Sequence, residues 1–198
     1  MDALILVDIQ NDFLPGGALA IPSGDSVIPV ANRLARQFDL VAATEDWHPL
    51  DHVSFAANHP GRAVFDTIEV AGRPQTLWPV HCVQNTGGAC FGPGLDTTRI
   101  TRVFPKGTDP GIDAYSGFFD NARRRPTGLT AWLRERGVTG VVVCGLATDY
   151  CVRATALDAV AEGFAVRLVE EGCRGVDVAG GDVARALDDM RRAGVLIQ

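Results

Sequence analysis

Cys151 lies in the stretch Val141-Val142-Val143-Cys144-Gly145-Leu146-Ala147-Thr148-Asp149-Tyr150-Cys151-Val152, where a β-rich apolar run breaks at Gly145 and a helical pattern starts a few residues later. A thiol at such a junction meets the positive end of a helix dipole and its unpaired N–H groups. Both favour thiolate over thiol and make the sulfur a nucleophile. The commoner fate of a single cysteine is inert burial, so the reading depends on what else the fold delivers to the same place. Earlier apolar runs end in Asp8, in Asp46 and His48, and just before Lys106. An acid, a lysine and a cysteine on one rim form an activated nucleophile, the carboxylate acting as base and the ammonium holding both anions. Taken singly, an Asp8 that caps a turn and a Lys106 that pairs with it would be structural.

Asp46-Trp47-His48 places an acid and an imidazole at i and i+2, on one side of a chain that stays extended. Such a pair supplies two legs of a metal site. His52 and His81 follow in the next stretch, and together these residues offer the N and O donors preferred by Zn²⁺, Mn²⁺ or Fe²⁺. No thiolate belongs to the set, which argues for an open, ligand-orienting metal over a closed structural one. His59 reads as an ordinary loop histidine.

The elements that must hold these groups alternate. Runs suited to buried parallel strands appear at Ala3–Val7, Leu40–Thr44, Thr101–Phe104, Val138–Cys144, Ala165–Val169 and, more weakly, Val195–Gln198. Amphipathic helices are expected at Ser26–Phe38, Thr127–Arg136, Asp149–Glu162 and Gly181–Arg192, three of them followed by a glycine stop. This order predicts a three-layer α/β/α sandwich around a doubly wound, mainly parallel six-stranded sheet. Ligands of such a sheet sit beyond the carboxyl ends of its strands, which is where the candidate residues fall. The segment from Trp47 to Cys90, rich in Pro, Gly, His and Asn, is too long to be a plain linker and reads as a functional excursion from a single domain spanning residues 1–198.

With 198 residues, 46% of them hydrophobic and 21% charged, the chain has an ordinary globular composition. A net charge of −6 argues against nucleic acid or an anionic membrane as partner, and no apolar run approaches a membrane span. Met1-Asp2-Ala3-Leu4 lacks the features of a signal peptide, so the expectation is a cytoplasmic protein whose five cysteines are thiols. Arg123-Arg124-Arg125 reads as a solvated loop and Trp132 as core. The oligomeric state is open, a homo-oligomer included.

Six segments in this order carry a resemblance over nearly the whole chain: Val7-Asp8-Ile9-Gln10-Asn11-Asp12-Phe13, Asp46-Trp47-His48, Trp78-Pro79-Val80-His81-Cys82, Lys106-Gly107, Ala114-Tyr115-Ser116-Gly117-Phe118 and Gly145–Val152. They resemble the nicotinamidase (pyrazinamidase) branch of the isochorismatase-like cysteine hydrolases. The resemblance implies the sandwich fold and the conversion of nicotinamide, and of pyrazinamide, to the acid and ammonia through a cysteine thioester, within NAD salvage. It implies Asp8, Lys106 and Cys151 as the catalytic triad. Asp46, His48 and His81 become the ligands of one divalent metal, with Zn²⁺ the first expectation and Mn²⁺ or Fe²⁺ the others. His52 matches a fourth ligand found in some members only. Phe13, Trp78 and Tyr115 match aromatic positions near the ring pocket. The N–H groups of Ala147 and Cys151 match an oxyanion hole, with a cis peptide between Leu146 and Ala147. In this family the metal binds the pyridine nitrogen, directly or through water.

Two other readings stand beside this one. A hydrolase of the same superfamily acting on a ureido, carbamoyl or vinyl-ether substrate would not need the D-x-H metal element that this chain has. The other is a non-enzymatic metal-binding or nucleotide-binding module of Rossmann type; the first strand is followed by Phe13-Leu14-Pro15-Gly16-Gly17 and no G-x-G-x-x-G, which argues against dinucleotide binding.

Overall fold

The computed structural model describes all 198 residues. Six parallel strands form the central sheet: β1 (Asp2–Val7), β2 (Val41–Asp46), β5 (Arg102–Lys106), β6 (Gly140–Leu146), β7 (Ala165–Arg174) and β8 (Leu196–Ile197). Their spatial order is β5-β2-β1-β6-β7-β8, and every pairing within the sheet is parallel. The order reverses direction between β1 and β6, which opens a crevice at the carboxyl ends of those two strands. β1 and β6 read as continuous apolar runs because both faces are covered: all but one of their residues are buried.

Four helices, α1 (Val27–Ala35), α2 (Leu129–Glu135), α3 (Arg153–Ala161) and α4 (Asp182–Arg192), connect or flank the strands. Right-handed crossovers put α1 on the face opposite the helices of the second half. On α2, Trp132 is buried edge-on against Phe104 of β5, their ring centroids 5.6 Å apart. One contiguous cluster of 46 buried residues runs through the molecule.

Three expectations need correction. The helix expected from Asp149 begins instead as a π-helical turn, Thr148–Val152, with regular α3 only from Arg153. The Ala147 carbonyl receives the N–H groups of both Tyr150 and Val152, so the first turn is wider than an α-turn. The strand expected to stop at Val169 continues to Arg174, because after a bulge Cys173 and Arg174 pair with Gly145 and Leu146. The excursion contains a hairpin, β3 (Thr67–Val70) and β4 (Arg73–Thr76), which the sequence does not announce. Its turn residues Ala71 and Gly72 both take positive φ, but alanine is a poor marker for such a turn and Pro74 argues against a strand.

Gly145 is the tightest point of the sheet. It lies opposite Val7 with φ +130°, and a Cβ there would stand 2.1 Å from the Val7 carbonyl oxygen. Gly145→Ala should therefore destabilise the fold by about 2–4 kcal/mol, combining strained backbone with overpacking. The midpoint of urea unfolding measures it; an unchanged midpoint would mean the strands part without cost.

Candidate active site

Asp8 is the first residue past β1, Asp46 and Lys106 close β2 and β5, and Cys151 sits in the π-turn after β6. Asp46 and Lys106 are register partners. The chain turns sharply at Asp8, with φ +49°, and this aims its carboxylate across the crevice. All four side chains are buried.

Lys106 is the hub of the group. Its ammonium lies 2.5 Å from Asp46 Oδ1, 2.9 Å from Asp8 Oδ2, 3.0 Å from the Ala114 carbonyl and 3.3 Å from Cys151 Sγ. Three hydrogens face four acceptors. Asp8 Oδ1 accepts from the Thr44 hydroxyl at 2.6 Å, while Oδ2 faces the ammonium as an ion pair and has no further hydrogen-bond partner. Burial pushes the Asp8 carboxyl above its ordinary value against the pull of Lys106. For Asp46 burial also works upward, but Lys106 and His48 outweigh it and hold that carboxylate well below the usual range. Lys106 stays charged because its two carboxylates overcome the burial that would discharge it.

Position near a helix end favours the thiolate, and burial works the other way. Burial pushes the Cys151 thiol well above its free value, with Lys106 opposing and Asp8 and Asp46 adding to the rise.

Next to this group, the side chains of Asp46, His48 and His81 place one donor atom each within 4.8 Å of one another. His48 directs Nδ1 to the Gly107 carbonyl at 2.9 Å and His81 directs Nδ1 to the Pro79 carbonyl at 2.8 Å. Both rings thus present Nε2 to Asp46 Oδ2, at 3.6 and 3.8 Å. This is how ligating histidines are oriented by groups behind them, and the buried N, N, O donor set fits a divalent ion such as zinc, manganese or iron. Gly107 must lack a side chain, since a Cβ would stand 2.3 Å from the His48 ring.

The structure does not bring His52 to the same point. Its Nδ1 accepts the Ser54 backbone N–H at 3.3 Å and lies 2.7 Å from the Ser54 hydroxyl, while Nε2 faces the Ile112 carbonyl at 3.3 Å. Burial and the neighbouring His48 lower its pKa to about 4. His52 is a neutral ring packed against His48, 4.2 Å between centroids.

A pocket opens onto Cys151, Ala147, Asp46, His48 and His81. Phe13, Trp78 and Tyr115 line it as expected, and the Leu146–Ala147 peptide is cis. Leu19, Asp113, Tyr150 and Val176 line it too, and sequence reasoning passed over them. Tyr150, adjacent to Cys151, packs edge-on against Trp78 at 4.7 Å and was open to discovery by position alone. Val176 carried no signal: the Asp149 carboxylate brings it in by accepting the N–H groups of Val176 and Asp177 at 3.0 and 2.7 Å. Gln10 also went unassigned. Its buried amide brackets the Asp46 backbone, accepting the N–H and donating to the carbonyl, both at 2.8 Å.

A family profile described as "Isochorismatase domain" matches residues 2–198. A nicotinamidase of Escherichia coli (strain K12) is 48% identical over 199 residues, covering 98% of this chain and 93% of that protein. The structure of a nicotinamidase and pyrazinamidase from Acinetobacter baumanii superposes with a TM-score of 0.96 at 46% identity, covering 99% of this chain and 94% of that one. A pyrazinamidase of Pyrococcus horikoshii in complex with zinc superposes with a TM-score of 0.81 at 41% identity, covering 100% and 98%.

Exposure sorts the thiols. Brief alkylation of native protein should label exposed Cys90 and pocket-lining Cys151, while Cys144 and Cys173, enclosed in the sheet, stay unmodified. Peptide mass spectrometry reads this out, and equal labelling of Cys144 and Cys151 would contradict the geometry.

Proposed function

The chain belongs to the isochorismatase family, and from that premise and its site we infer that it is a nicotinamidase, converting nicotinamide and water to nicotinate and ammonia. The observation that carries the reading is a buried thiol 3.3 Å from a lysine that also holds Asp8, in the wall of a pocket lined by aromatic side chains. Pyrazinamide presents the same carboxamide on a similar ring and is a second substrate. Production of nicotinate places the enzyme in NAD salvage.

The chemistry is acyl transfer. With the amide carbon over sulfur, Asp8 takes the Cys151 proton as the thiolate attacks, forming a tetrahedral oxyanion. Lys106 holds the negative charge as it moves from Asp8 to sulfur. The N–H groups of Ala147 and Cys151 receive the oxyanion. Asp8 then returns the proton to the leaving nitrogen, ammonia departs, and a thioester remains. Water attacks that thioester, giving one proton to Asp8; the thiolate leaves and takes that proton back from Asp8, and nicotinic acid departs, losing its remaining proton to ammonia or water as nicotinate. Trp78, Tyr115, Tyr150 and Phe13 confine the ring and exclude bulk water.

Asp46, His48 and His81 would hold one divalent ion, zinc first among the candidates. When bound, the ion supplies a Lewis-acid contact that orients the ring through its nitrogen. His52 stands behind His48 and not among the ligands.

Ammonia release from nicotinamide tests the activity. Cys151→Ala should abolish it with the fold intact, and Asp8→Asn should lower kcat by roughly 100- to 10,000-fold, since an amide cannot accept the proton. Full turnover in either variant would remove that residue from the mechanism.

The metal reading has a separate test. His48→Ala and His81→Ala should bring bound metal well below one ion per chain, and chelation of the unaltered enzyme should mimic them. Elemental analysis showing full occupancy in both variants would place the ion elsewhere.

A further inference from the structure

Asp113 is buried in the pocket wall and no step above uses it. The residue precedes Ala114, whose carbonyl binds Lys106. Its Oδ1 accepts the Ala114 N–H at 2.8 Å and its Oδ2 accepts from Gln75 Nε2 at 2.8 Å. Each oxygen keeps a second lone pair. The other two buried acids of the site, Asp8 and Asp46, both pair with Lys106, whereas no lysine or arginine pairs with Asp113. A carboxylate this dry, held by two hydrogen bonds and facing a cavity, is costly unless a positive charge comes near it.

Composition says which charge. Asp8, Asp46 and Asp113 bring three buried carboxyl groups to the site against one buried ammonium, Lys106, so a cation there meets an excess of acidic groups. Position agrees with this: an Asp113 oxygen lies within 4.8 Å of ring nitrogens of His48 and His52. Gln75 comes from β4 of the hairpin and also reaches the Tyr115 hydroxyl at 3.1 Å, so the same amide ties the carboxylate to the aromatic wall.

Resting on the metal reading above, we propose that Asp113 is the outer carboxylate of the cation centre, oriented by Gln75. It does not ligate the ion. It completes the ion's charge balance and accepts hydrogen bonds from water on the positions that the three protein donors leave open, raising affinity for a dication. Asp113 is thus a positioning residue, one that acts through the ion. His52, neutral and stacked on His48, fills the space behind these groups without adding charge.

Zn²⁺ affinity, measured on metal-stripped full-length protein by competition with a chromophoric chelator, tests this directly. Asp113→Asn should weaken Zn²⁺ by roughly 10- to 100-fold, and Gln75→Met, which leaves the carboxylate but removes its donor, should weaken it less in the same direction. A structural role predicts the opposite pattern in stability. Here metal-free Asp113→Asn should unfold at or above the wild-type temperature, having lost an unpaired buried charge, while the rise in Tm on adding Zn²⁺ shrinks. Wild-type protein binding one Zn²⁺ and Asp113→Asn binding it within twofold as tightly would overturn the inference and leave the metal reading standing. Wild-type protein that binds no Zn²⁺ would overturn both. If Asp113→Asn does not fold, Gln75→Met decides alone, and an affinity equal to wild type overturns the role.

Discussion

A single buried ammonium organises this molecule. Removing Lys106 and its partners from water costs several kcal/mol per ion, and attraction offsets that only if every charge has a close partner and every hydrogen an acceptor. The sheet meets the condition by ending three adjacent strands at one place: β1 delivers Asp8, β2 delivers Asp46 and β5 delivers the lysine. The fourth acceptor, Cys151 Sγ, crosses from β6 on the other side of the switch point. Take the cation away and two buried carboxylates face each other beside a thiol with nothing between them.

The two carboxylates around that ammonium do different work because their second oxygens face different surroundings. Asp46 Oδ1 is bound to Lys106 while Oδ2 points to the imidazoles of His48 and His81, so one side chain joins the lysine to the donor set. Gln10 holds its backbone from both sides, which leaves Asp46 no freedom to swing toward one partner at the expense of the other. Asp8 has no such second commitment. Its Oδ2, with no hydrogen-bond partner beyond the ion pair, and its upward-shifted pKa suit it to receive and return a proton.

What the sequence reveals follows the reach of its signals. Strands that lie in the sheet's middle were legible because burial on both faces demands unbroken apolar runs, and the strand-end rule then gathers Asp8, Asp46, Lys106 and Cys151 before any coordinates exist. Hairpin β3–β4 was not legible, since its strands are largely exposed and carry a proline. Gln75 therefore could not be connected to the pocket. Val176 arrives through its N–H to the Asp149 carboxylate and Asp113 through its carbonyl, which accepts the Asn121 N–H, an arrangement that leaves no periodic trace. The upward shift at Cys151 was not legible for another reason: helix-end position is a local feature, whereas desolvation is set by everything packed around the sulfur.

That shift bears on how the site would work. Burial favours the protonated thiol, so the acyl-transfer reading requires a base beside the sulfur. Burial alone would also make the transfer steeply uphill, because it raises the thiol. Two features reduce the climb. Asp8 is raised by the same burial, which brings the acceptor toward the donor. Lys106 sits 2.9 Å from the Asp8 oxygen and 3.3 Å from the sulfur, so the negative charge stays beside the same ammonium whether it rests on oxygen or on sulfur. Moving the proton therefore exchanges one close ion pair for another, with little solvent to rearrange. The lysine need not give up a proton to take part; its fixed position between two alternative anions is its contribution.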